Sequence, residues 1–273
     1  IDQDRFAVIK CDISGKGVSA SLIMAEVATI FHSYFTDWKK DNEKRKIIAS
    51  RKQVKIKPAV PKIDQLVYSI NGLVESMGFK GRFAAFIIVY IDTRTGETVF
   101  CNAGDNLVHI YKKSKSKMEV ITIPEAPAAG VFPNDMVEMT AGFQLIPYQM
   151  DPGDIIYLFT DGIEEAQRHF RTEDLKILEC ADEDHESVEN STHKAGQDFE
   201  EFGVSRMHDI IQAVLNKDKY ELYKFHNEYT DEVYNFDFSS CEGTFSETVI
   251  ALLAIERVYR HYHDPSSGTG DRI

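Results

Sequence analysis

FAAFIIVYIDTRTGETVFCNAGDN, residues Phe83 to Asn106, reads as an antiparallel hairpin that runs into a second turn. Phe83 to Ile91 is continuously apolar, the pattern of a strand covered on both faces. Asp92-Thr93-Arg94-Thr95-Gly96 supplies a turn, and Glu97 to Ala103 is the return strand. Asn102-Ala103-Gly104-Asp105-Asn106 turns the chain again into a strand from Leu107 to Tyr111. Further short strands are expected at Glu119 to Ile123 and at Met136 to Met139. Asp151-Pro152-Gly153-Asp154 then turns into a strand from Ile155 to Phe159, which ends at Thr160-Asp161-Gly162. Hairpins dominate and no βαβ alternation appears, which argues against a doubly wound sheet or an α/β barrel.

Helices flank this meander. Upstream, FAVIKC (Phe6 to Cys11) is strand-like and ends at Asp12; the tight stretch Asp12-Ile13-Ser14-Gly15-Lys16-Gly17 follows. An amphipathic helix is expected from Ser19 to Phe35, with Ile23, Val27, Ile30 and Tyr34 on one stripe. A second helix spans Lys62 to Met77, closed by Gly78. Between them, Lys39 to Lys57 carries nine Lys or Arg against Asp41 and Glu43, and reads as a solvated insertion or linker with some helix. Downstream, Asp182 to Glu201 holds eight acids and reads as a mobile acidic loop, not a metal site. A helix over Phe202 to Val214, another over Lys219 to Asn227 and an apolar last strand over Thr248 to Val258 complete the chain, before a polar tail that begins His261-Tyr262-His263-Asp264.

Length and charge bound what such a chain does. Its 273 residues leave room for one large domain or two small ones. A net charge of −13 makes nucleic acid an improbable partner, because long-range repulsion opposes a polyphosphate. Cys11, Cys101, Cys180 and Cys241 are widely spaced with no CxxC, so free thiols are expected rather than a zinc knuckle or disulfide framework. No run reaches 18 consecutive apolar residues, so no membrane span is expected. The first residue is Ile, which suggests a fragment of a longer protein whose anchor, if any, lies elsewhere.

Two aspartates stand where chemistry is easiest to build. Asp12 and Asp161 each follow an apolar strand and precede glycine-containing turns, so each carboxylate sits on rigid backbone that a ligand can approach. If the strands are neighbours, the pair can share hard divalent cations, since Mg2+ and Mn2+ take one or two carboxylates plus waters. Neither turn contains Cys or His, which disfavours zinc. Either turn alone is also an ordinary Asp-Gly hairpin signal. SGKG is not a P-loop, because Gly17 follows Lys16 and the earlier glycine is missing.

Four segments in order, DISGKGVSASLIMAEV (Asp12 to Val27), NAGDNLVHIY (Asn102 to Tyr111), DPGDIIYLFTDGIEEA (Asp151 to Ala166) and FGVSRMHDII (Phe202 to Ile211), resemble the SpoIIE/RsbU branch of the PP2C-like, metal-dependent serine/threonine protein phosphatases. The resemblance runs from about Ile1 to Val258. It implies an α+β fold, a four-layer α-β-β-α sandwich of two mainly antiparallel sheets, over residues 1–260, with a polar tail at 261–273. It further implies that Asp12 bridges two Mn2+ or Mg2+ ions, that the Ile13 carbonyl is a neighbouring ligand, and that Asp161 holds the second ion. A metal-activated water would then attack a phosphoserine or phosphothreonine phosphorus in line with the leaving alkoxide.

The chain departs from that pattern in places. Relatives carry an aspartate pair before the last core strand, and here the best match is Ser246-Glu247. Glu247 either reaches the second ion with its longer side chain or points to solvent. NAGDN puts Asp105 where relatives have His, only Asp2 and Asp4 precede Phe6, and the stretch from Asp182 to Gly243 is long. These departures leave a weakly active enzyme, or a pseudophosphatase that binds phosphoproteins, as the alternative reading. By the same resemblance, the partners are a phosphorylated regulatory protein, often a STAS-type anti-anti-sigma factor, and an upstream sensor module. A homodimer, a bacterial origin and a cytoplasmic location, free or as the output domain of a membrane-anchored sensor, complete what it implies.

Overall fold

The structure, a computed structural model, describes residues 1–54, 60–79, 81–168, 200–223 and 233–260. It separates into two compact units, Ile1–Ile110 with Val120–Leu158, and Tyr111–Glu119 with Phe159–Ile273. In chain order the first unit contains β1 (Arg5–Ile13), α1 (Val18–Arg51), α2 (Ile63–Ser76), β2 (Ala84–Asp92), β3 (Glu97–Ala103), β4 (Leu107–Lys112), β5 (Lys117–Thr122), α3 (Asn134–Glu138), β6 (Ile146–Gln149) and β7 (Ile155–Tyr157). The tip of the β4–β5 hairpin groups with the second unit.

β1, β2, β3 and β6 form one antiparallel sheet in that order; β5, β4 and β7 form a second. The apolar run through β2 is explained by what covers each face. Ala84, Phe86, Ile88 and Tyr90 pack into a core with Ile23, Val27 and Phe31 of α1 and Ile63, Leu66 and Ile70 of α2. The alternate residues Ile87 and Val89 join Phe100, Val108, Ile110, Ile123 and Met150 in a core between the sheets. Each Val, Leu, Ile, Met or Phe among them, removed from water, contributes about 1.5–3 kcal/mol before entropy is subtracted. Helix layer, sheet and second sheet are therefore stacked as expected of the sandwich.

Three features of this unit differ from the sequence reading. The basic segment is no linker as far as Arg51: α1 continues through it for 34 residues in all. Lys, Arg, Glu and Ala are good helix formers, and the Asp37–Lys40 and Asp41–Lys44 pairs lie one turn apart. Residues 55–57 lie outside the described residues. Met136 to Met139 belongs to the short helix α3 and its C-terminus, because Pro133 opens a turn whose carbonyl accepts from the Val137 N–H at 3.1 Å. Finally, α1 is long and apolar enough to cross a membrane by length and composition, although no uninterrupted apolar run exists. That test fits a membrane span or a signal sequence as well as a core helix, and here the stripe Ile23, Val27, Phe31 and Phe35 lies in the core of the unit.

The second unit contains α4 (Asp161–Glu164), β8 (Gln167–Arg168), β9 (Glu200–Glu201), α5 (Gly203–Asn216), β10 (Lys219–Tyr223), β11 (Val233–Asp237) and α6 (Phe245–Arg260). The helix expected at Lys219 to Asn227 is instead β10, paired antiparallel with β11; residues 224–227 are not described. Lys217, at φ 60, ends α5 in the left-handed conformation and redirects the chain into the hairpin. Of the acidic loop, only Glu200 and Glu201 fall among the described residues, and they pair with β8 as β9. The polar tail, 261–273, lies outside them.

The last apolar strand expected at Thr248 to Val258 is helix α6. Its buried residues, Thr248, Ala251, Leu252, Ile255 and Tyr259, recur at helical spacing, while Ile250 and Leu253 are exposed. Thr244 and Glu247 close its start as a capping box. The Glu247 N–H donates to the Thr244 hydroxyl at 3.3 Å, and the Glu247 carboxylate accepts from the Thr244 N–H at 2.8 Å. The Glu256–Arg260 ion pair supports the last turn.

Replacing Thr244 with Ala is expected to cost about 1 kcal/mol, read as a lower denaturant midpoint at unchanged slope. The Glu247 carboxyl is held below its ordinary value by the Thr244 N–H first, then by that of Glu242. A depressed carboxyl contributes stability that is complete above the unfolded value and is lost as pH falls through the folded one. The stability difference between Glu247→Gln, which cannot ionise, and the parent should therefore shrink as pH drops below the carboxyl's ordinary 4.5.

Candidate metal centre

Asp12 and Ile13 are the last residues of β1, opposite Ala85 and Ala84 of β2. Lys10, Ile87 and Asn102 form one row across β1, β2 and β3. Ile87 belongs to the core between the sheets, so Lys10 and Asp12, two residues apart, share the face directed there. The Lys10 ammonium is bound to the Asp105 carboxylate at 2.6 Å, with both side chains largely buried. Asp105 is therefore engaged by Lys10. Asp12 is exposed, and its carboxylate has no hydrogen-bond or ion partner among the described residues.

The loop after Asp12 is tied to the start of β2. The Ser14 N–H donates to the Phe83 carbonyl at 2.9 Å, and the Phe83 N–H donates to the Ser14 hydroxyl at 2.8 Å. Arg82 Nη1 donates to the Ser14 carbonyl at 3.1 Å. Gly15 has φ 82, and a Cβ there would stand 1.2 Å from Arg82 Nη1, so both the turn and the guanidinium require glycine. Cys11 lies next to Asp12, and its surroundings disfavour a thiolate. Burial first, then the charges of Asp12 and Asp105, pushes its thiol up to about 12, and burial does the same to Cys101. Among the described cysteines Cys11, Cys101 and Cys241 are free, as expected; Cys180 is not described.

Asp161 lies in the second unit. β7 stops at Tyr157, earlier than the expected strand end, and Asp161 opens the short helix α4 after Thr160. It is exposed and has no side-chain partner among the described residues. Glu247 differs, because both of its oxygens are engaged. One accepts from the Glu242 N–H at 3.0 Å, the other from the Thr244 N–H at 2.8 Å and its hydroxyl at 3.0 Å.

Asp12, Asp161 and the Ile13 carbonyl offer oxygen donors only, the kind that Mg2+ and Mn2+ accept alongside waters. They fit such an ion in kind. Among the described residues no three His, Cys, Asp or Glu side chains gather into a ready cage. Sequence reasoning missed Lys10 and Arg82, whose partners lie far along the chain and follow no local spacing.

The family described as Stage II sporulation protein E (SpoIIE) matches residues 2–214. The chain belongs to the SpoIIE family. Its match includes Asp12 and Asp161 and stops before Glu247 and α6. No curated protein sequence matches the chain. Among solved structures, the SiaA PP2C domain of Pseudomonas aeruginosa is similar over 94% of this chain and 74% of its own, at 15% identity and a TM-score of 0.50. That likeness places the SpoIIE-family chain in the PP2C-like sandwich fold. The RsbU and RsbW domains of a Mycobacterium tuberculosis protein align over 77% of this chain at 15% identity and a TM-score of 0.45, and the alignment spans 43% of that longer chain. RsbX in complex with magnesium aligns over 60% of this chain and 63% of its own, at 13% identity and a TM-score of 0.42.

Proposed function

We propose that the chain is a metal-dependent protein phosphatase that hydrolyses phosphoserine or phosphothreonine on a regulatory protein. The observation that carries this reading is Asp12, an exposed carboxylate without a described partner, fixed at the end of a core strand before a glycine-opened loop. Membership of the SpoIIE family supports the phosphatase class. Asp12, the Ile13 carbonyl and Asp161 would hold Mn2+ or Mg2+. Such an ion, when bound, lowers the pKa of a coordinated water and offsets charge on a transferring phosphoryl group.

The chain's own contribution is position and charge. β1 holds Asp12 in register with β2, so the carboxylate does not have to be ordered when ligands arrive. Gly17, at positive φ with open space where a Cβ would stand, lets a phosphoryl group come close to the loop. Lys10, bound to Asp105 on the face that carries Asp12, offsets part of the local negative charge. A STAS-type phosphoprotein as substrate and a sensor module in a longer chain belong to the same proposal.

A second reading is favoured by Glu247, whose carboxylate caps α6. A site left one carboxylate short suits a weak enzyme, or a pseudophosphatase that binds phosphoproteins. One experiment separates the two: a phosphoserine peptide and an aryl phosphate assayed with Mn2+, with Mg2+ and with excess chelator. Turnover that needs the ion, vanishes on chelation and returns on addition supports the phosphatase. Peptide binding without turnover at saturating Mn2+ supports the second reading, and full turnover under chelation contradicts both.

A further inference from the structure

We infer that Arg82 is a positioning residue of the candidate metal centre, acting through the peptide that follows Asp12 and Ile13; this rests on the metal-dependent reading above. The segment Gly81-Arg82-Phe83 grips the loop at four points. Ser14 N–H and Phe83 N–H cross between the strands' ends, the Ser14 hydroxyl donates to the Gly81 carbonyl at 3.3 Å, and Arg82 Nη1 donates to the Ser14 carbonyl at 3.1 Å. Three of these contacts involve only backbone and Ser14. The fourth depends on Arg82, and it fixes the peptide plane next to the one that carries the Ile13 carbonyl.

A metal ligand supplied by the main chain has no rotamer to adjust, so its aim is set by the neighbouring peptides. Groups that orient such ligands typically change metal affinity by about 10–100-fold when removed. Gly15 completes the device. Its missing Cβ is the space the guanidinium uses, since a Cβ would stand 1.2 Å from Nη1 and 2.4 Å from Cζ. Arg82 and Gly15 are thus coupled: the glycine admits the arginine, and the arginine fixes the glycine's turn. Only one N–H of Arg82 makes a bond among the described residues, so a single donor on a long stem can replace it.

The test is calorimetric titration of Mn2+ into the wild type, Arg82→Ala, Arg82→Lys, Gly15→Ala and the double variant Arg82→Ala/Gly15→Ala, with thermal melts of each. Arg82→Ala is expected to weaken Mn2+ binding by roughly tenfold or more without a matching loss of global stability. Arg82→Lys should recover most of that affinity. Gly15→Ala should weaken binding at least as much as Arg82→Ala, because φ 82 strains any Cβ besides the collision, and the double variant should lose less than the two single effects combined, because the collision alone has gone. An Arg82→Ala variant that binds Mn2+ as tightly as wild type overturns this inference alone. Additive losses, or an Arg82→Lys variant as weak as Arg82→Ala, also count against it. A wild type that binds no Mn2+ overturns both this inference and the metal-dependent reading.

Discussion

Asp12→Asn is expected to lower hydrolysis of a phosphoserine protein by roughly a hundredfold or more, about 3 kcal/mol of transition-state stabilisation. Asparagine keeps the shape of the side chain and removes its charge, so the donor that attracts a divalent cation is lost. The fold should not change. Asp12 is exposed and its side chain makes no hydrogen bond or ion pair among the described residues, so no buried partner is stranded by the substitution. Asp161→Asn should act in the same direction for the same reason, at the start of α4. Rates and melting curves for both variants check this. Wild-type rates in both would remove the two carboxylates from any role in turnover.

Phe100→Ala is expected to have the largest effect on stability, roughly 3–5 kcal/mol out of a total of about 5–15 kcal/mol for a domain. Phe100 is fully buried between the sheets, among Ile87, Val89, Val108 and Ile110, with its ring 5.8 Å from that of Tyr148. Removing the ring leaves a cavity with both walls held by hydrogen-bonded sheets, which relax little. Phe6→Ala on β1 is the control, because Phe6 is 45% exposed and loses little burial. Urea midpoints should differ sharply between the two. Equal losses would mean that the sheets do not share the core described here.

The sandwich was legible wherever the two faces of a strand imposed themselves on the sequence. FAAFIIVYI is apolar throughout because α1 and α2 cover one face and the second sheet covers the other. The turns at Asp92 to Gly96 and at Gly104 were legible because their glycines adopt positive φ. The errors were of another kind. Thr248 to Val258 is as apolar as β2, and apolarity alone does not separate a buried strand from a buried helix. Length and the signal T-x-x-E at Thr244 to Glu247 separate them, and that signal closes the start of α6 as a capping box. Lys39 to Arg51 reads as an insertion or linker with some helix from its charge, and the helix propensity of its Lys, Arg and Glu carries α1 on to Arg51.

The site was half legible. Asp12 and Asp161, the proposed ligands, follow their strands closely enough in sequence that a local reading picks them as candidates. Glu247 matches a ligand position of relatives only by place in the sequence, and its carboxylate accepts from the Glu242 and Thr244 N–H groups at the start of α6. Lys10–Asp105 and Arg82–Ser14 join residues far apart in the chain, and nothing in their local sequence announces the pairing.

The most direct test of a metal-dependent site is equilibrium binding of Mn2+ to the chelator-stripped chain, compared with Asp12→Asn under identical conditions. Saturable binding to the wild type, lost or weakened by roughly tenfold or more in Asp12→Asn, is the predicted result. Wild-type binding that Asp12→Asn leaves unchanged, or no saturable binding at all, would contradict it.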